Sequence, residues 1–556
     1  MLKRTIVLLL AISLAISCKP TQYGFRTKDI KSAQRLYGLE FDKAGIDTMY
    51  HYLGRNKRGY ENLREYQVDN ETFPALTFNP HPSGFEMPTG QQQILQPEVS
   101  DNTVLPATDE EIAFLSIPEL ASLIKARKIT SERLTNIYLE RIEKHDGQLQ
   151  SVITVTKELA LKQARKADKE IAAGNYKGIL HGIPYGVKDL MAVEGYPTTW
   201  GAEPYKDQMI DHTATVVNKL IEQGAVLIAK LVSGSLARGD VWFGGKTKNP
   251  WDLSQGASGS SAGSGSATSA GLVAFSLGTE TLGSITSPAT RNGVTGLRPT
   301  YGRISRHGVM SLSWSMDKVG PICRSAEDCE IVLAAIYGKD PLDPTTNNVP
   351  FTPANGKVAN LKIAKLESDI LSDSKTQRGK NVMAAVALLE KELNSSFDTL
   401  SLPKNYPFRV FDIILRAEAG AFFEELVRSG AVDDMVEQTS GSRANSLRQA
   451  RFIPAVEYLQ ANRERRRLIE EIHQLFKNYD VIIAPSARSS QLQITNLTGH
   501  PVISIPTGFD EKGRPTSLTL IGNLYEEDKI LQLAKYYQSL TEFDEKHPPL
   551  FYTIAK

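Results

Sequence analysis

The segment Thr213–Gln223 has a helical pattern, stops at Gly224 and passes at once into the strand-like run Ala225-Val-Leu-Ile-Ala-Lys-Leu231. A glycine suits the end of a helix because it takes the left-handed backbone without a Cβ clash. Several units of this kind follow one another. Ser116-Ile-Pro-Glu119 offers a cap residue, an early proline and an early acid, the marks of a helix start. Thr130-Ser-Glu-Arg133 opens another helix, in which Leu134, Ile137, Tyr138 and Ile142 recur at helical spacing. A third helix is predicted from about Lys157 to Ala173, closed by Gly174. Val481–Ala484, Val502–Ile505 and Ser517–Ile521 read as strands, the last two joined by a turn around Asp510-Glu-Lys-Gly513. Such interleaving predicts an α/β fold, one large domain with a central mixed, mostly parallel sheet flanked by helices.

The alternation begins near residue 107, which predicts three parts: a signal peptide over 1–17, a polar, Tyr-rich extension or tether over 18–105, and the α/β domain over 106–556. Within the last, residues 325–475 are mostly helical and charged, and suggest an insert or cap. Met1–Ser17 has a basic start, Lys3 and Arg4, and then an apolar run from Ile6 to Ile16. That run is too short for about 30 Å of hydrocarbon, which needs roughly 20 residues, and fits a secretory signal. Ala15-Ile16-Ser17-Cys18 resembles the lipobox of bacterial lipoproteins, in which the cysteine is lipidated, although leucine is commonest where Ala15 stands. The expectation is an envelope protein held on the membrane by lipid on Cys18, with a secreted or periplasmic protein as the alternative. The 64 basic and 63 acidic residues leave a formal charge of +1, and so no field to recruit nucleic acid. Besides Cys18 there are only Cys323 and Cys329, which either pair or remain buried thiols and cannot build a zinc site. Nothing in the sequence speaks to oligomeric state.

Between Ser254 and Ser287 the chain places ten serines and seven glycines in 34 residues. Two readings are open: a flexible linker, or a nucleophile with oxyanion donors, since glycines allow nests of N–H groups and serines bring hydroxyls. The apolar run Gly271–Leu277 inside the stretch opposes the linker. Gly259-Ser260-Ser261-Ala262-Gly263 satisfies G-x-S-x-G and would make Ser261 the nucleophile of an elbow. Gly245-Lys246-Thr247 fails as a phosphate loop, because Asp240 stands where the first glycine is required. Ser122-Leu-Ile-Lys125 and Ser100-Asp-Asn102 match two motifs of penicillin-recognising enzymes, but in reversed order and with no K-T-G.

Longer motifs in a fixed order carry more weight. Asn249-Pro-Trp-Asp252, Gly259–Ser264, Gly278-Thr-Glu-Thr-Leu-Gly-Ser-Ile285 and Gly296–Arg303 resemble the signature of the amidase signature family. Gly182-Ile-Pro-Tyr-Gly-Val-Lys-Asp189 upstream resembles its lysine segment, and Ser313–Pro321 and Asn496–Ile505 downstream are similar too, so core motifs run over 182–321 and the likeness covers roughly 107–550. The resemblance implies a Ser–cis-Ser–Lys triad with Ser284 as nucleophile, Ser260 as bridge and Lys188 as base. The separation 284 − 260 = 24 agrees with the family's spacing. It further implies an oxyanion hole from the backbone N–H groups of Thr281, Leu282, Gly283 and Ser284, a cis bond between Gly259 and Ser260, and no metal or organic cofactor. The implied substrate is a small-molecule or peptide amide, cleaved at its carbon–nitrogen bond through an acyl-enzyme. Leu282 stands where the family usually has glycine, Glu280 where it has aspartate, Thr286 where arginine is common and Ala262 where glycine is usual. These departures bear on oxyanion geometry, so a weakened or non-catalytic binding lipoprotein on the same fold is the alternative. Export argues against the family's amidotransferase members, whose charged tRNA is cytosolic.

Overall fold

The computed structural model describes residues 23–66, 68, 71–95, 97 and 103–552; the signal segment 1–17 and Cys18 lie outside the described residues. The chain divides into two compact units, up to Thr72 and from Phe73 onward. In the first, helices Thr27–Leu36 and Lys43–Leu63 stand where the sequence showed only a polar extension. Asp42 caps the second by accepting from Gly45 N at 2.7 Å. Its Tyr50 ring packs against those of Tyr23 and Phe25, and Ile46 is 1% exposed.

The second unit starts upstream of the change in composition near residue 105, and Phe78 explains why. Its ring meets Tyr301 edge-on and lies under the Arg465 guanidinium, 3.5 Å from the ring centroid, so this stretch is packed chain. The body is one sheet of eleven strands. In chain order they are β1 Val152–Val155, β2 Pro184–Lys188, β3 Val226–Leu231, β4 Phe275–Glu280, β5 Thr295–Arg298 and β6 Lys318–Cys323. They continue as β7 Ile363–Lys365, β8 Asp398–Thr399, β9 Val481–Pro485, β10 Val502–Phe509 and β11 Pro515–Gly522. Their spatial order is β1-β3-β2-β4-β6-β5-β10-β11-β9-β7-β8.

The sheet is mixed and helix-flanked as expected, but it is not mostly parallel. Pairs β2–β3, β2–β4, β7–β9 and β7–β8 are parallel, and the other six are antiparallel. Parallel neighbours need long crossovers, whereas a tight turn forces a reversal. The turn at Asp510–Arg514, where Asp510 N donates to Arg514 O at 2.8 Å, makes β10 and β11 such a hairpin.

Both faces of the sheet are covered. Val481 and Ile483 of β9 join the apolar cluster that contains Leu120, Ile137 and Ala164, while the alternate Ile482 and Ala484 join the one with Phe411, Leu447 and Leu468. This is the period of two that a doubly buried strand imposes. Local signals place the first cluster's helices. Ser116 and Glu119 form a capping box before Ile117–Lys125, and Thr130 caps Ser131–Leu149, which buries Leu134, Ile137, Tyr138 and Ile142. Residues 325–475 are mostly helical, but they also supply β7 and β8 and so extend the sheet. Cys323 and Cys329 are buried free thiols. No helix among the described residues is long and apolar enough to cross a membrane.

Candidate active site

Strands β2 and β4 are parallel neighbours, with Tyr185 opposite Phe275 and Val187 opposite Leu277. Their carboxyl ends therefore emerge side by side, and a crevice at such ends is where open α/β sheets bind ligands. Lys188 is the last residue of β2, and β4 ends at Glu280, just before Thr281–Ser284.

The Gly/Ser stretch is packed interior and not a linker. All eight residues of helix Ala262–Ser269 are buried. A Cβ at Gly263 would stand 2.3 Å from both Ser151 O and Val232 N, so only glycine lets this helix approach the neighbouring backbone. The serines tie the helix down: Ser264 Oγ donates to Leu277 O at 3.0 Å and Ser269 Oγ to Asn292 O at 2.6 Å.

In front of this helix the Gly259–Ser260 peptide bond is cis. Gly259 is required there, because its Cβ would fall 1.8 Å from Gly239 O. Lys188 is fully buried, and its Nζ donates to Ser260 Oγ at 2.8 Å and to Thr279 Oγ1 at 2.8 Å. Burial lowers the lysine's pKa to about 7, against the opposing pull of the Asp317 and Glu280 carboxylates. Ser261 is differently occupied. Its Oγ donates to Thr279 O at 3.1 Å and accepts from Thr279 N at 3.2 Å, so the hydroxyl is spent on the backbone of β4. The G-x-S-x-G elbow has no exposed hydroxyl to offer.

Ser284 lies in the turn between β4 and helix Thr286–Asn292, and its carbonyl accepts from Ser261 N at 3.2 Å. It lines a cavity of about 160 Å³ together with Gly259, Thr281, Leu282, Arg238 and Arg443. The turn depends on Gly283, whose φ of +94° and Cβ position 2.9 Å from Ser287 Oγ exclude a side chain. The amides of Leu282, Gly283 and Ser284 donate to no acceptor among the described residues, as oxyanion donors require.

The departures at Glu280 and Thr286 are in contact with each other. Glu280 Oε2 accepts from Ile285 N at 2.9 Å, Thr286 N at 3.0 Å and Thr286 Oγ1 at 3.1 Å. Its Oε1 accepts from Arg298 Nη1 at 2.7 Å and Asn496 Nδ2 at 2.8 Å. Burial alone would raise this carboxyl, but the Arg298 guanidinium and these bonds hold it at about 2. Glu280 thus clamps the chain just after Ser284. Leu282 packs its side chain against the second apolar cluster, which leaves the backbone of the turn intact.

The sequence motifs contain Thr279, Arg298, Asp317 and Asn496, yet their spacing gave those residues no part. Their contacts cross more than one element, so spacing could not reveal them. The helical region is tied in by Glu418, which accepts from Ser313 Oγ at 2.6 Å and Ser315 N at 3.0 Å.

The chain is similar to known proteins in sequence and in fold. The sequence profile of the amidase family matches residues 133–531. A glutamyl-tRNA(Gln) amidotransferase chain of a Geobacter species is 34% identical, over 79% of this chain and 100% of its own. A putative amidase, AmiD, of Mycobacterium bovis is 33% identical over 81% of this chain and 99% of its own. The X-ray structure of peptide amidase from Stenotrophomonas maltophilia superposes with a TM-score of 0.69 at 27% identity, covering 79% of this chain and 99% of its own. With its profile, its relatives and its fold in agreement, the chain belongs to the amidase family.

Proposed function

We propose that this protein hydrolyses a carbon–nitrogen amide bond through an acyl-enzyme on Ser284. The observation that carries the reading is Lys188: a fully buried lysine, poised near neutrality, whose Nζ sits on the hydroxyl of Ser260. A serine hydroxyl is a weak nucleophile and needs a base, which an ammonium cannot be. Neutral Lys188 takes the proton of Ser260, Ser260 takes that of Ser284, and Ser284 Oγ attacks the amide carbonyl. The oxyanion that forms is met by the amides of Thr281, Leu282, Gly283 and Ser284. When the carbon–nitrogen bond breaks, the proton returns along the same hydroxyl to the departing amine or ammonia. Water then adds to the acyl carbon by the reverse relay and releases Ser284. No metal or organic cofactor takes part in these steps, and the substrate is a small-molecule or peptide amide.

A fluorophosphonate probe tests the assignment without knowledge of the substrate. The wild-type protein is expected to label on a single serine, Ser284→Ala to abolish labelling, and Ser261→Ala to retain it. Labelling of Ser261 in place of Ser284 would overturn the triad. A protein that fails to label at all would favour the non-catalytic alternative.

We further propose that the protein is an envelope lipoprotein anchored through lipid on Cys18. Its apolar leader and lipobox-like Ala15–Cys18 support this. Cys18→Ala is expected to release the protein from the membrane fraction; unchanged sedimentation with membranes would refute the anchor.

A further inference from the structure

Thr279 and Thr281 stand two residues apart where β4 leaves the sheet, so their side chains share a face and Glu280 takes the opposite one. Thr279 Oγ1 accepts from Lys188 Nζ at 2.8 Å, and Thr281 Oγ1 donates to Asp317 Oδ1 at 2.5 Å. The second oxygen of Asp317 accepts from Leu312 N at 2.6 Å and Ser313 N at 2.9 Å. Both oxygens only accept, the posture of an ionised carboxylate; burial pushes this carboxyl above the ordinary range, and the Thr281, Leu312 and Ser313 donors with the Arg306 charge pull against that. Thr279, Thr281 and Asp317 also line one void of about 10 Å³, room for about one water and too small for a substrate. One buried acid therefore touches Thr281, the first residue of the Ser284 turn, and shares a void with Thr279, which touches the lysine.

We propose that Asp317 is a positioning residue for the hydrolysis, fixing the start of the Thr281–Ser284 turn through the Thr281 hydroxyl and placing its carboxylate at the void lined by Thr279, the partner of Lys188. The inference rests on the reading of Lys188 as base. The charges that face Lys188 are Asp317 and Glu280, on opposite faces of β4, while the adjacent Asp189 is engaged by Lys230 at 2.7 Å. Asp317 itself is faced by Arg306, Lys318 and Arg443 and by its donor Thr281. Burial pushes Lys188 toward the neutral base and Asp317 restrains it, so the acid sets how far down in pH the relay works.

The test is the rate of fluorophosphonate labelling of the full chain, followed between about pH 5 and pH 9, where a titrating base shapes the acid limb. Asp317→Asn is expected to move the midpoint of that limb down by about one pH unit, because a buried charge near the lysine has been removed. Thr281→Val keeps the charge and removes the hydroxyl. Its labelling plateau is expected to fall about tenfold, and Thr281→Ser to restore it. A midpoint that stays or rises in an Asp317→Asn protein that still melts cooperatively would overturn the charge assignment. A wild-type plateau in Thr281→Val would overturn the fixing of the turn, and this arm decides even if Asp317→Asn does not fold. Failure of the underlying reading looks different: Lys188→Met would then label like the wild type, with the same pH profile.

Discussion

Replacing Lys188 with methionine separates what the lysine does for the reaction from what it costs the fold. Its pKa falls from 10.5 to about 7 on burial, a difference worth about 5 kcal/mol of folding stability. The sign follows from proton binding. Between about pH 7 and 10.5 the unfolded chain holds a proton that the folded chain has released, so stability rises with pH across that window by about 1.4 kcal/mol per pH unit. Below about pH 7 the full cost is present. Methionine keeps the length of the side chain and removes the cost, but it leaves the hydroxyls of Ser260 and Thr279 without their donor. Each orphaned group costs about 1–3 kcal/mol. The net expectation is that Lys188→Met is more stable than the wild type by about 1 kcal/mol at about pH 6, and no more stable at about pH 9. Thermal unfolding midpoints of both proteins at the two pH values measure this, alongside a labelling assay in which the variant is inert. A wild type more stable than Lys188→Met at about pH 6, or a gap that ignores pH, would refute the argument, because Lys188 would then not be neutralised by burial.

Gly259→Ala should fail both in stability and in labelling, since the added Cβ would sit 1.8 Å from Gly239 O and no side chain can move aside; soluble yield and melting temperature check it. Glu280→Gln should cost about 3–5 kcal/mol at neutral pH by leaving buried Arg298 without its counter-charge. Because Glu280 is held at about 2, its contribution is present above the ordinary carboxyl value of 4.5 and is lost as pH falls toward 2. Acid-unfolding curves should therefore show a limb in the wild type that the glutamine variant lacks.

Local chemistry made part of this molecule legible in the sequence. Ser116, Thr130 and Gly174 mark helix ends by hydrogen bonds and backbone angles that reach no further than a turn. Strands β3, β9, β10 and β11 showed as aliphatic runs, because most of their side chains are apolar and pack into the core. The resemblance of several ordered motifs to those of a known family pointed to Lys188, Ser260 and Ser284, the first two of which the fold brings into contact from 72 residues apart.

What only the tertiary structure decided lies where a residue answers to a distant neighbour. Strands β2, β5 and β6 went unread because Gly186, Gly296, Gly320 and Pro321 interrupt them. Those residues face close backbone or side chains that sequence does not display, such as Leu297 O lying 2.2 Å from a Cβ at Gly320. The direction of neighbouring strands was likewise invisible, since it depends on how the chain returns to the sheet and not on the residues of the strand. The difference between Ser261 and Ser284 could not be read from a motif both serines satisfy in some form: the backbone of Thr279 occupies the Ser261 hydroxyl, while Ser284 lines a cavity. The protonation of Lys188 is the clearest case. A lysine carries its charge in any sequence, and only the removal of water by the surrounding fold, weighed against the fields of Asp317 and Glu280, brings its pKa down to about 7.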